Sequence, residues 1–244
     1  MFPIRDHNPS GRTPYVTLAL IAINVAIFLL TYPGASEAEL GRFYWAWGLV
    51  PARIMAGEGY ETLITHMFLH GGWLHIAGNM LFLWIFGDNL ESEMGHVGFL
   101  LFYLAAGLAA AALQILPDPY SRAPMVGASG AIAGVMGGYL LLYPRARVDV
   151  LVIIIVFIRI FAMPAWVVLG IWFGIQIVSG FAASADAGVA YWAHVGGFIA
   201  GLVLALPLWL RRGGGGWWRQ TAGQPPHPHP DYRLERSRVP RVRR

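Results

Sequence analysis

The chain has 244 residues, of which 57% are apolar and only 12% charged, more apolar surface than a water-soluble core of that size can hide. No cysteine is present, which removes disulfide frameworks and thiolate metal sites. All 17 basic residues are Arg and the formal charge is +4, but the arginines flank apolar segments and crowd the C-terminal tail as cytoplasmic anchors do, which argues against a nucleic-acid partner.

A hydrocarbon layer of about 30 Å needs roughly 17–25 mostly apolar residues per helix. Measured that way, residues 1–12 form a short N-terminal segment and the first span covers 15–32, followed by no small-residue cleavage site and so retained. Residues 33–71 are too long for a plain connector, and Phe43, Tyr44, Trp45 and Trp47 suit a structured external lip in the headgroup zone. Further spans follow at about 72–87, carrying His75 and Asn79, at 97–116, and at 125–143, whose "GASG" places Ser129 among small residues. The apolar run 150–158 is too short to cross and is bracketed by Asp149 and Arg159, an interfacial or re-entrant piece. Spans at 163–182 and 189–210 complete the set, the last carrying His194. Residues 211–244, with four consecutive glycines, "PPHPHP" and an arginine-rich end, read as a disordered basic tail. The expected fold is therefore an all-α polytopic membrane protein of six transmembrane helices over residues 13–210.

Arginine placement orients it. With both termini inside, only Arg42, Arg53 and Arg122 lie outside, and the other fourteen, Arg145, Arg147, Arg211 and Arg212 among them, lie inside, as the positive-inside rule requires. Asp88, Glu91 and Glu93 fall in an inner loop, where acidic residues weigh little.

Polar side chains inside spans are costly, and an ionisable one is a functional candidate by default. His75, Asn79, Ser129 and His194 come from three helices, yet this topology sets them all near the external end. His75 and Asn79 are four apart and share a helix face. A serine hydroxyl becomes a nucleophile when a base takes its proton, which pairs Ser129 with His194. The oxyanion of acyl transfer would be met by His75, Asn79 and the Ser129 N–H. No carboxylate lies at that depth, so the expected machinery is a dyad. Gly127 and Gly130 allow close approach of backbone and substrate. Asn24 and Gln176 read as interhelical hydrogen bonds.

Together "GASGAIAG", "HIAGN" (75–79) and "AHVGGFIAG" (193–201) resemble the rhomboid family of intramembrane serine proteases over roughly residues 13–210. The resemblance implies Ser129 as nucleophile, His194 as general base and His75 and Asn79 as oxyanion residues. It implies His66 and His70 as structural histidines, and Gly197 and Gly201 as the small-residue ridge that seats the sixth helix on the fourth. It also implies a site needing no cofactor or metal, open to the external side of a bacterial inner membrane, and substrates that are transmembrane segments with helix-destabilising residues. These would enter past the second and fifth helices, where Trp166, Trp172 and Phe173 are candidate gate residues and 183–190 would cap the cavity. Two departures stand out: many members carry an aromatic residue four positions after the serine, here Ala133, and a Trp-Arg pair in the external loop, here Glu61 and Thr62.

Competing readings are weaker. A metal transporter using His66, His70, His75 and His194 would lack intramembrane carboxylates, and no "HExxH" occurs for a zinc protease. A non-catalytic, client-binding rhomboid relative would need neither Ser129 nor His194. The nucleophile elbow of soluble esterases requires Gly where Ala131 stands.

Overall fold

In the computed structural model, residues 2–8, 10–154, 157–182 and 188–225 are described; residues 183–187, expected to help cap the cavity, and most of the tail lie outside them. Strand β1 (Phe2–Asp6) leads into helix α1 (Tyr15–Thr31). The 33–71 segment is structured as α2 (Glu37–Trp47), α3 (Pro51–Met55), α4 (Thr62–Thr65) and a 3-10 turn, His66–Phe68. Helices α5 (Trp73–Met94), α6 (His96–Ile115) and α7 (Ser129–Leu142) follow, then strands β2 (Arg147–Ile154) and β3 (Phe157–Pro164), then α8 (Ala165–Ala182), α9 (Tyr191–Arg211) and the short α10 (Gly215–Thr221). A helix stands in each of the six regions expected to span. By length and composition α6, α8 and α9 suffice to cross a membrane, whereas α1 and α7 are apolar but shorter.

The centre of the molecule is α7, with 11 of its 14 residues buried between α9, α6 and α5. Its glycines make this possible. A Cβ on Gly197 would land on the Gly130 carbonyl, one on Gly201 on the Gly134 carbonyl, and one on Gly137 on the Phe198 carbonyl, so α7 and α9 pack backbone against backbone. By contrast α8 is peripheral and buries only Ala165, Leu169 and Gln176.

Three expectations are corrected. The protein is not all-α: β1, β2 and β3 form an antiparallel sheet in that order, so the described residues of the run at 150–158 belong to the paired strands β2 and β3 instead of a re-entrant piece. Periodicity alone does not separate a short buried strand from a helical segment, and the discriminating signal was the β-branched composition of "VDVLVIIIV". The fourth helix begins at Ser129 and not at 125, because Met125 exchanges two backbone hydrogen bonds with Leu49 (2.8 and 2.9 Å) and Gly127 has φ +132°, a conformation outside any right-handed helix. Finally, the start of the tail folds back. Trp217 is buried beside Tyr143, and Trp218 Nε1 donates to the Leu141 carbonyl at 3.0 Å; two indoles supply the apolar area that the glycines lack.

Helix α5 also runs seven residues past its expected end at 87. Its last turns serve a neighbour: Glu91 is buried and accepts from the N–H groups of Val16 and Thr17 (both 2.8 Å) and from Thr17 Oγ1 (2.7 Å). A carboxylate thus satisfies the free donors at the start of α1 and complements its dipole.

Near this end β1 is held by Asp6, whose Oδ2 accepts from Asn89 Nδ2 (2.9 Å) and the Tyr139 hydroxyl (3.2 Å). Burial, reinforced by the neighbouring Asp88, pushes the Asp6 carboxyl up to about 7. A carboxyl whose folded value lies above its unfolded one stabilises the fold at low pH and loses that contribution as pH rises through the folded value. Amides paired between β1 and β2 should therefore lose protection against hydrogen exchange, after correction for intrinsic rates, as pH rises through about 7. Asp6→Asn should flatten that dependence. Protection that stays constant or rises across the interval would show that Asp6 carries no such proton.

Candidate active site

The strand-like approach to α7 builds the site. Gly127 N–H donates to the His66 carbonyl at 2.9 Å, pinning the loop so that Ser129 becomes the first residue of α7. The N–H groups of a first helical turn have no intrahelical acceptor, so those beside Ser129 are free donors at the positive end of a helix dipole. Opposite stands the first turn of α9, anchored by Gln114 of α6, whose Oε1 accepts the Ala193 N–H at 3.0 Å. That anchor sets the height of His194, and its Nε2 lies 2.8 Å from Ser129 Oγ.

The second nitrogen of the same ring, Nδ1, lies 2.8 Å from Gln176 Oε1 on α8. The Trp172 ring, one turn earlier, covers the imidazole at a centroid separation of 5.7 Å. An aromatic residue therefore does lie over His194, reaching it from α8, while position 133 is a fully buried alanine in the α7 core. Phe173 stacks on Phe198 of α9, centroids 4.5 Å apart. Trp166 is exposed, far along α8 from these contacts.

His75 and Asn79 share a face of the first two turns of α5. A Cβ at Gly127 would fall 2.7 Å from His75 Nε2 and 3.5 Å from Ser129 Oγ, so glycine is required here both by its positive φ and by the two polar side chains it separates. Asn79 is buried with Nδ2 unpartnered among the described residues, an available donor. A cavity of about 890 Å³ is lined by His66, His75, Asn79, Ser129, Trp172 and His194, with residues 188–190 at its edge. The structure thus brings all four chemically expected side chains to one cavity.

His66 forms part of its wall and His70 sits behind it. Burial pushes His66 down to about 4, leaving a neutral ring whose Nδ1–H donates to the Thr62 carbonyl at 2.7 Å. Its own carbonyl holds the serine loop. His70 is buried against His75, ring centroids 5.1 Å apart, and its carbonyl accepts from the Tyr44 hydroxyl at 2.9 Å, tying α2 to the site. In place of a Trp-Arg pair, Thr62 is buried with Oγ1 donating to the Gly59 carbonyl at 2.6 Å. Among the described residues no group of three or more His, Asp or Glu side chains is placed to hold a metal ion.

The two intramembrane amides divide. Asn24 Nδ2 donates to Leu20 of its own helix at 2.8 Å, not across helices as expected. Gln176 does bond across helices, and its partner is the imidazole. The interhelical hydrogen bond expected of Gln176 is thus present, and what the sequence left open is that its partner is the His194 ring.

Residues 57–211 match the Rhomboid domain family. The chain is 31% identical to rhomboid protease GluP of Bacillus subtilis over 82% of its own length and 36% of that protein, and 30% identical to RHOMBOID-like protein 4 of Arabidopsis thaliana over 88% of its length and 58% of that protein. It resembles rhomboid protein 1, mitochondrial, of Saccharomyces cerevisiae at 29% identity over 53% of the chain and 37% of that protein. The chain therefore spans about a third to just under three fifths of the length of these curated relatives. A match across more than half of the chain, including Ser129, His194 and most of the residues that enclose the cavity, leads to one conclusion: this membrane protein belongs to the rhomboid family.

Proposed function

We propose that the protein is an intramembrane serine protease that hydrolyses peptide bonds in or beside transmembrane segments. The observation that carries this reading is the 2.8 Å contact between Ser129 Oγ and His194 Nε2 at facing helix N-termini on one cavity. Ser129 Oγ attacks the scissile carbonyl carbon as His194 Nε2 takes its proton. Negative charge then develops on the carbonyl oxygen, where the first-turn N–H of α7, the Asn79 amide and His75 offer preorganised donors. Collapse of the tetrahedral intermediate breaks the C–N bond, with the imidazolium returning its proton to the leaving amine. A water, deprotonated by the same imidazole, releases the acyl group from Ser129.

In this reading α1, α5, α6, α7, α8 and α9 all span a bacterial inner membrane with both termini inside and the cavity facing the external side. A helical substrate hydrogen-bonds its own carbonyls and must unwind locally to present one. Trp172 and Phe173, lying between α8 and α9, and Trp166 at the start of α8 are the candidate gate.

Activity-based labelling tests the chemistry directly. A serine-directed fluorophosphonate should add to Ser129, with the mass shift on the peptide that contains it, and His194→Ala should suppress the adduct while chelators leave it unchanged. Absence of an adduct, together with chelator-sensitive cleavage, would replace the serine reading with a metal one.

A further inference from the structure

The catalytic pair of the proposed protease leaves one half of the imidazole unaccounted for. A neutral imidazole carries one N–H, and only the tautomer with hydrogen on Nδ1 presents a lone pair at Nε2 to a serine hydroxyl. In Ser-His-Asp enzymes a buried carboxylate accepts that Nδ1–H and fixes the ring. Among the described residues no carboxylate is hydrogen-bonded to the ring. The groups around it are Ser129 from α7, the titratable His75 from α5, the neutral Gln114 from α6, Tyr191 from its own helix at a centroid separation of 6.5 Å, and Trp172 and Gln176 from α8.

We propose that Gln176 is the positioning residue of His194, accepting its Nδ1–H and thereby selecting the tautomer and ring orientation that serve Ser129. Three observations meet in this assignment. Gln176 Oε1 is 2.8 Å from Nδ1. Its amide orientation is set by Nε2 donating to the Trp172 carbonyl at 3.3 Å, which leaves the oxygen, the only atom able to accept, turned to the imidazole. Gln176 is also the one polar side chain that α8 buries. The amide and the Trp172 indole sit one turn apart and grip the same ring from one helix. Because α8 is the least embedded of the long helices, alignment of the dyad depends on its staying seated: a displaced α8 takes both the acceptor and the aromatic cover away together. An uncharged acceptor also suits the site, since a carboxylate at this depth would need a buried partner.

This rests on the protease reading and is tested so that the two can fail separately, with full-length protein in liposomes and a transmembrane reporter, Ser129→Ala serving as the reference for that reading. Gln176→Leu, apolar and without an acceptor, should lower kcat about 10–100-fold, the usual scale for removing the group that orients a functional histidine through its second nitrogen, with KM little changed. Gln176→Glu keeps an acceptor oxygen on a side chain of the same length. It should retain more activity than the Leu variant and move the acid limb of the pH–rate profile to higher pH, because an anion at Nδ1 favours the imidazolium. Wild-type kcat in Gln176→Leu, equal impairment in both variants, or a Glu profile superimposable on the wild type would each overturn the assignment while Ser129→Ala remains inactive. Turnover by Ser129→Ala would instead overturn the protease reading itself.

Discussion

Ser129→Ala and His194→Ala should each abolish cleavage of a transmembrane reporter, with losses on the order of 10⁶ in kcat of the kind seen when a nucleophile or its base is removed. Neither change should cost much stability. Among the described residues the Ser129 hydroxyl bonds only to His194, and the His194 ring is otherwise held from outside its own helix by Gln176 and the covering Trp172 ring. The two groups act as one unit, so the double variant should be no worse than either single, and a multiplicative loss would mean that they work independently. Circular dichroism and thermal unfolding in detergent supply the control: a protein that loses activity and its transition together has simply failed to fold. Substantial turnover in a well-folded Ser129→Ala protein would remove Ser129 as the nucleophile.

The features that were legible in the sequence share one property, in that they are local. Runs of 17–25 apolar residues announce helices wherever tertiary structure is needed only to bury them, and helices stand at all six places. "HIAGN" fixes His75 and Asn79 on a shared face through helical spacing alone. What was misread depends on contacts between distant segments. Phe2–Asp6 becomes a strand only because β2 lies beside it, 142 residues away at the pairing of His7 with Asp149, and the strands β2 and β3 are ambiguous until their length and β-branched content are weighed together. The start of α7 was set four residues early because apolarity says nothing about Met125 pairing with Leu49. The interhelical bond of Gln176 was legible but its partner was not, for a related reason: its sequence neighbours are apolar, and only the α8–α9 packing reveals what its oxygen touches. Likewise Ala133, standing where many family members carry an aromatic residue, is compatible with aromatic cover delivered by Trp172 from another helix.

The alignment of Ser129 with His194 is ultimately a property of the α7–α9 seam, and substitution there should have the largest effect on folding. A Cβ at Gly201 would land on the Gly134 carbonyl, and its next nearest atoms are also Gly134 backbone, so no side chain can rotate away to make room. Overpacking a core that can adjust costs about 1–3 kcal/mol; here the helices themselves must separate, which also breaks the neighbouring contact of Gly197 with Gly130, one residue from Ser129. Gly201→Leu should therefore lose the cooperative thermal transition in detergent, and Gly201→Ala should show a clearly lowered Tm with impaired turnover. A control lies in the same protein. Gly174 on α8 has nothing within 4 Å of a built Cβ, so Gly174→Ala should be neutral or slightly stabilising, since alanine exceeds glycine in helix propensity by about 1 kcal/mol. If Gly201→Leu melts like the wild type, the two helices are not in backbone contact, and the 2.8 Å Ser129–His194 contact must be maintained by something other than the seam, with the Gln114 anchor on Ala193 the next element to remove.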